Sequence, residues 1–330
     1  MRGDGFVLPD TKRLPSVFAA LGLMFLAMIG RVAAPFLGEG TAYIGALLGL
    51  KTGQMGLNAL VSFYYYAFFM LLPMGIYLYL HRGAGEYIRF KPLSGRHALY
   101  AVMCGAAGVI FASVISVFWT DFIYALGLRP GESSFAASTT GELALLVVFS
   151  AVIPAVCEEL LCRGMVLAAY EDRGSVNAVM ISAVWFAALH ASVEGLPAEL
   201  LSGLGLGLIT VFTGSVFAGI IYHTVHNSVI LILNYALSSS ASSAAGETAV
   251  SEGSVYPSLI MLGLVSGLTL YLLFKRLYRS RGETLLEPGE KPKRDTLEVV
   301  VLVCVIALTA VFYLLDILDM TVLAETVLSE

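Results

Sequence analysis

Nine stretches of this chain run for about twenty residues with almost no charge, the length and character of a helix that crosses a hydrocarbon core ~30 Å thick. They are Leu14–Leu37, Leu57–Leu80, Leu99–Trp119, Leu143–Tyr170, Val176–His190, Glu199–Phe212, Val216–Leu237, Tyr256–Phe274 and Leu297–Leu315, of which the fifth and sixth are short. Composition agrees: 58% of residues are hydrophobic and 13% charged, against roughly 45–50% and about 25% in globular domains. A water-soluble enzyme is excluded, and the expected fold is all-α, a polytopic transmembrane helical bundle.

The loops set the orientation. Lys and Arg collect in short cytoplasmic loops. With the N-terminus inside, that side holds Arg2, Lys12, Arg13, Arg82, Arg89, Lys91, Arg96, Arg173, Lys275, Arg276, Arg279, Arg281, Lys291, Lys293 and Arg294. The other side receives only Lys51 and Arg129, a Ser/Ala-rich loop over Ser238–Ser254 with Glu247 and Glu252, and an acidic tail with Asp316, Asp319, Glu325 and Glu330. This asymmetry supports nine crossings with a cytoplasmic N-terminus; eight is the alternative count, giving eight to nine spans. The first stretch has no small-residue cleavage site and reads as a retained helix. A net charge of -5 offers no basic footprint for nucleic acid. Cys104, Cys157, Cys162 and Cys304 all lie in apolar stretches, so neither a disulfide framework nor a paired-cysteine zinc cluster is indicated. The chain reads as one integral membrane domain over residues 1–330.

Within the spans, several residues are ones that lipid rejects. Glu158, Glu159 and Arg163 stand in the fourth stretch, His190 ends the fifth, and His223, His226 and Asn227 occupy the seventh. Each charge facing lipid at mid-span costs about 2.5–3.5 kcal/mol on insertion scales, so the three must turn inward together. Glu159 and Arg163 are four apart, acid before base, and pair on one helix face. Glu158 points about 100° away and has no partner on its own helix. A buried ion pair explains the first two; the second carboxylate is better explained as a general base. If the fourth and fifth helices form a hairpin with its tip at Gly174, Glu159 and His190 lie at similar depth. His223 and Asn227, four apart, project into the same space, with His226 beside them. Pro154 removes the hydrogen bond to the Ser150 carbonyl and bends the helix one turn before Glu158. Gly203 and Gly207 form a small-xxx-small pair for close packing. Arg31, isolated near the expected outer end of the first span, reads as a snorkelling side chain.

The run Glu158-Glu159-Leu160-Leu161-Cys162-Arg163, then Phe186 to His190, then His223 to Asn227, resembles the EExxxR, FxxxH and HxxxN motifs of the CAAX protease and bacteriocin-processing family of intramembrane endopeptidases. That family includes the Ras-converting prenyl-protein endopeptidase and many abortive-infection-type and bacteriocin-immunity proteins. The resemblance places the family core at about 142–237, with flanking spans and loops at 1–141 and 238–330. It implies that Glu158 activates water with help from His190, that His223 and Asn227 bind the developing oxyanion, and that Glu159 and Arg163 organise the site. Cys162 departs from the aromatic residue common in the family. His226 is outside the motifs and can assist His223. The family has been described both as metalloproteases and as glutamate-dependent enzymes, which leaves the metal unassigned; a zinc ion, if bound, would be held by Glu158, His190 and His223.

The function so implied is hydrolysis of a peptide bond in a membrane-associated or lipidated peptide or protein. Expected partners are that substrate and membrane lipids, and the expected location is a prokaryotic cytoplasmic membrane. The alternatives are a non-catalytic membrane scaffold or immunity protein of the same fold, and an ion-coupled transporter, since buried Glu and His also mark ion pathways. HExxH, GxSG and paired intramembrane Asp motifs are lacking, which sets the zinc, rhomboid and presenilin designs aside.

Overall fold

The computed structural model describes residues 15–51, 53–82, 87–129, 137–241, 255–280, 285 and 296–329. Among them are nine helical rods and no strand: α1 (Val17–Leu47), α2 (Gln54–Leu80), α3 (Gly95–Ala125), α4 (Thr140–Ala169), α5 (Ser175–His190), α6 (Leu196–Thr213), α7 (Val216–Ala241), α8 (Tyr256–Ser280) and α9 (Thr296–Ser329). Eight are long and apolar enough to cross a membrane; α5, at 16 residues, is the shorter one. The basic residues at 2, 12, 13, 281, 291, 293 and 294, and most of the Ser/Ala-rich loop, lie outside the described residues.

Local chemistry sets the ends. Ser16 and Ser94 accept from the backbone N–H groups of Ala19 and His97 and cap α1 and α3. Thr139 and Glu142 form a reciprocal capping box that starts α4. Gly174, at φ 91°, turns the chain from α4 into α5 in a conformation that side chains rarely adopt.

Hydrogen bonds between loops identify the two ends of the bundle. At one end Val216 N–H donates to Arg89 O, the Ser215 hydroxyl to Lys91 O, and Arg89 pairs with Glu171. At the other, Trp119 Nε1 donates to Val193 O at 2.7 Å, Val193 N–H to Asp316 Oδ2 at 2.7 Å, and Arg129 N–H to Met320 O. Helix α5 therefore runs from the first end toward the second, opposite in direction to α4 and α6. Being short, it stops early: its following turn meets α3 at Trp119, six residues and about 9 Å before α3 ends. The site residues at the end of α5 are thus inset from the end of the bundle.

Three wide turns interrupt the rods, at Tyr65–Leu71 in α2 and at Val147–Val152 and Leu160–Val166 in α4. In each the ladder steps back five residues rather than four: Leu72 N–H reaches Ala67 O, Ile153 N–H reaches Val148 O, and Leu167 N–H reaches Cys162 O. Pro73 and Pro154 follow the first two closely and withhold the N–H groups that a regular ladder needs. Such turns concentrate at functional sites, and here each lies beside a site residue.

In lipid, helices associate through close packing rather than hydrophobic transfer. Gly203 and Gly207 of α6 face Ala183 and Val179 of α5, and a Cβ on Gly203 would lie 3.0 Å from Ala183 Cα. Gly203→Val should therefore force two backbones apart and destabilise the fold by about 1–3 kcal/mol. A lower thermal midpoint in detergent is the expected readout, with Gly22→Ala, where the space is open, as the unaffected control.

Candidate active site

Glu158 and Glu159 stand on α4 between two of the wide turns, both buried, at 6% and 0% exposure. The two carboxylates have separate partners. Glu159 Oε1 receives Arg163 Nη1 at 2.7 Å and faces His223 Nδ1 at 3.1 Å. Arg163, itself at 0% exposure, also donates through Nη2 to Gly203 O at 2.8 Å. Its guanidinium lies 4.5 Å over the Phe186 ring. Phe186 in turn packs against the rings of His190 and His223, at 4.7 and 5.4 Å between centroids. One aromatic side chain thus spaces the cation and both histidines. Helix α7 approaches so closely that a Cβ on Gly219 would lie 2.6 Å from Glu159 Oε2.

Glu158 faces the other way. Its Oε1 accepts from the Tyr66 hydroxyl at 3.0 Å, while Oε2 is buried and accepts no hydrogen bond from the described residues. His190 Nε2 lies 3.8 Å from that Oε2, beyond direct hydrogen-bond reach. The His190 ring is oriented by Nδ1, 2.9 Å from Phe186 O. A carbonyl can only accept, so Nδ1 carries a proton, and in the neutral form of the ring Nε2 presents a lone pair toward Glu158.

His190, His223, His226 and Asn227 share one cavity of about 250 Å³, walled also by Glu199, Ser202, Tyr222 and Ile230. Asn227 Nδ2 reaches 3.5 Å from the carbonyl of Ser150, the group that Pro154 leaves without its regular partner. All six motif side chains, Glu158, Glu159, Arg163, His190, His223 and Asn227, therefore gather around one region. The His223 contact with Glu159 is one that the motif spacing did not anticipate.

Three residues outside the motifs also belong to the site. Tyr66 sits in a run of three tyrosines with no signal of its own, and Glu199 was legible only as an acid at a span boundary. Arg31 differs from the expected snorkelling side chain: α1 extends to Leu47, which puts Arg31 one residue from the helix midpoint, and its Nη1 donates to Leu189 O. There it satisfies a carbonyl in the last turn of α5, where a cation also complements the helix dipole. Tyr313 adds a bond to Ala187 O at 3.1 Å. Helices α1, α3 and α9 thus hold the end of α5 on which His190 stands.

Among the described residues, no three His, Cys, Asp or Glu side chains converge in a metal-holding arrangement. A carboxylate on His223 Nδ1 leaves Nε2 as the nitrogen that a zinc ion, if bound with Glu158 and His190, would meet.

The fold and this cluster define a multi-pass integral membrane protein with a buried polar site made by α4, α5 and α7. Residues 140–229 match the Rce1-like family, described as type II CAAX prenyl endopeptidase Rce1-like, a likeness over this segment that supports the CAAX protease family and points to an intramembrane peptidase. No curated protein and no solved structure matches the chain.

Proposed function

We propose that this protein is an intramembrane endopeptidase that hydrolyses a peptide bond in a membrane-associated or lipidated polypeptide, using water activated by Glu158 and His190. The observation that carries this reading is the pair of inward-facing acceptors: Glu158 Oε2, buried and without a donor, and His190 Nε2, 3.8 Å away. One water at about 2.8 Å from each gives one O–H to the carboxylate and the other to the imidazole, and turns its lone pairs toward a substrate carbonyl. As the water oxygen bonds to the carbonyl carbon, Glu158 takes its proton. Collapse of the tetrahedral intermediate breaks the C–N bond, and the same proton passes to the leaving amine. Asn227 Nδ2 donates to the oxyanion, as does Nε2 of His223 in its imidazolium form, whose Nδ1–H is held by Glu159.

A membrane-borne substrate is supported by a second crevice, apolar and about 340 Å³, between α2, α4 and α7. Met55, Ala59, Leu146, Phe149 and Leu231 line it, and it ends at Ser150, whose carbonyl faces Asn227.

The test is incubation of purified protein with matched lipidated and unlipidated peptides, with and without a strong chelator, beside His190→Ala. Cleavage by the wild type that is lost in the variant and survives the chelator is the expected result. Cleavage unchanged in His190→Ala, or none of any peptide, overturns the reading. Asn227→Ala is expected to lower kcat about 10²-fold with little change in KM, the signature of a donor used mainly in the transition state. Equal losses in KM alone would make Asn227 a substrate-binding group instead.

A further inference from the structure

Glu199 belongs to none of the three motifs, yet it lines the cavity that His190, His223 and Asn227 share. It stands in the first turn of α6, on a wall with Gly195, Ala198 and Ser202, facing the motif side chains of α7. Its Oε2 is buried and accepts no hydrogen bond from the described residues. A Cβ on Gly195 would overlap Glu199 Oε1, so the bare backbone there is what lets the carboxylate lie against the turn.

The nearby cations are engaged elsewhere. Arg163 is held by Glu159 and Gly203 O, and Arg31 donates to Leu189 O. Neither guanidinium is bonded to Glu199, so its carboxylate has no guanidinium of its own. A charge without a partner in a desolvated site is strongly unfavourable.

We propose that Glu199 makes this cavity a subsite for a cationic group of the substrate, an alkylammonium or guanidinium carried beside the scissile bond. This rests on the peptidase reading of the same site. Phe186, Leu206 and Ile230 supply apolar wall for methylenes, and the carboxylate receives the charged head. A neutral side chain of equal length gains the apolar contacts but leaves the carboxylate unpaired.

The experiment is calorimetric titration of the detergent-purified full-length protein with n-butylammonium, n-butylguanidinium, n-butanol and butyrate at constant ionic strength, with protein-free micelles subtracted. Both cations should saturate with Kd values about tenfold or more below that of butanol, and butyrate should not bind. Glu199→Gln should erase the difference between cation and alcohol, and Glu199→Asp should retain part of it. The cation that binds tighter identifies the side-chain chemistry, planar fork or compact ammonium. Equal affinity of wild type for cations and butanol overturns the proposal. So does a cation preference that survives Glu199→Gln, because it places the attraction at Glu158. Should Glu199→Gln fail to fold, the wild-type comparison and Glu199→Asp decide. No cleavage is needed, so a chain that hydrolysed nothing would end the peptidase reading while the subsite is judged on the titration alone.

Discussion

Glu158→Gln is expected to lower kcat by about 10³–10⁴-fold, the upper part of the range for losing a general base, while the protein still folds. Glutamine keeps the size of the side chain and an oxygen for the Tyr66 hydroxyl, so packing around Oε1 persists. It removes the group that takes a proton. Its amide nitrogen would present donors where the carboxylate and His190 Nε2 now offer two acceptors 3.8 Å apart. Water would then lose the orientation that exposes its lone pairs. Because Glu158 and His190 act on the same water, Glu158→Gln combined with His190→Ala should be little slower than the worse single variant. Peptide cleavage rates with thermal midpoints of the same preparations check this. Wild-type rates in Glu158→Gln would remove Glu158 from the chemistry.

The largest stability effect is expected from separating Glu159 and Arg163. Both are at 0% exposure, and the guanidinium also bonds Gly203 O and covers Phe186. Arg163→Met keeps an unbranched side chain in that space but strands the Glu159 carboxylate, and breaking a buried pair from one side costs about 3–5 kcal/mol. The double variant Glu159→Gln with Arg163→Met removes both charges and should recover most of that loss, because the pair's attraction largely offsets its own desolvation. Reversible unfolding in mild detergent, or thermal midpoints where unfolding is irreversible, measures the three proteins. A single variant as stable as wild type, or a double variant less stable than the single, would contradict the account. The same substitutions should disturb catalysis, since Glu159 also holds His223 at 3.1 Å.

Much of the architecture was legible without coordinates because lipid imposes a coarse rule. A stretch of apolar residues long enough to cross has to be a helix, and its ends follow from where charges and prolines begin. The contact between Glu159 and Arg163 was equally legible, since four residues along one helix set the spacing whatever surrounds it. The hairpin at Gly174 brought Glu159 and His190 to similar depth by counting alone.

What counting along the chain could not supply is rotation and closeness between helices. Whether His223 turns Nδ1 to Glu159 depends on how α7 is rotated against α4, where the two come close enough that Gly219 lies bare against Glu159. Arg31 looked peripheral because its helix ends ten residues later than the hydropathy pattern suggested, which moves it to the middle of α1. Tyr66 and Glu199 reach the site from helices outside the motif runs, and no local period marks either one. The sequence by itself determined a helical membrane bundle and the inward-facing acids, bases and amide of its middle third, because burying charge in lipid admits few solutions. Tertiary structure alone decided that Glu159 meets His223 while Glu158 meets Tyr66 and His190, because that follows from the packing of four helices against one another.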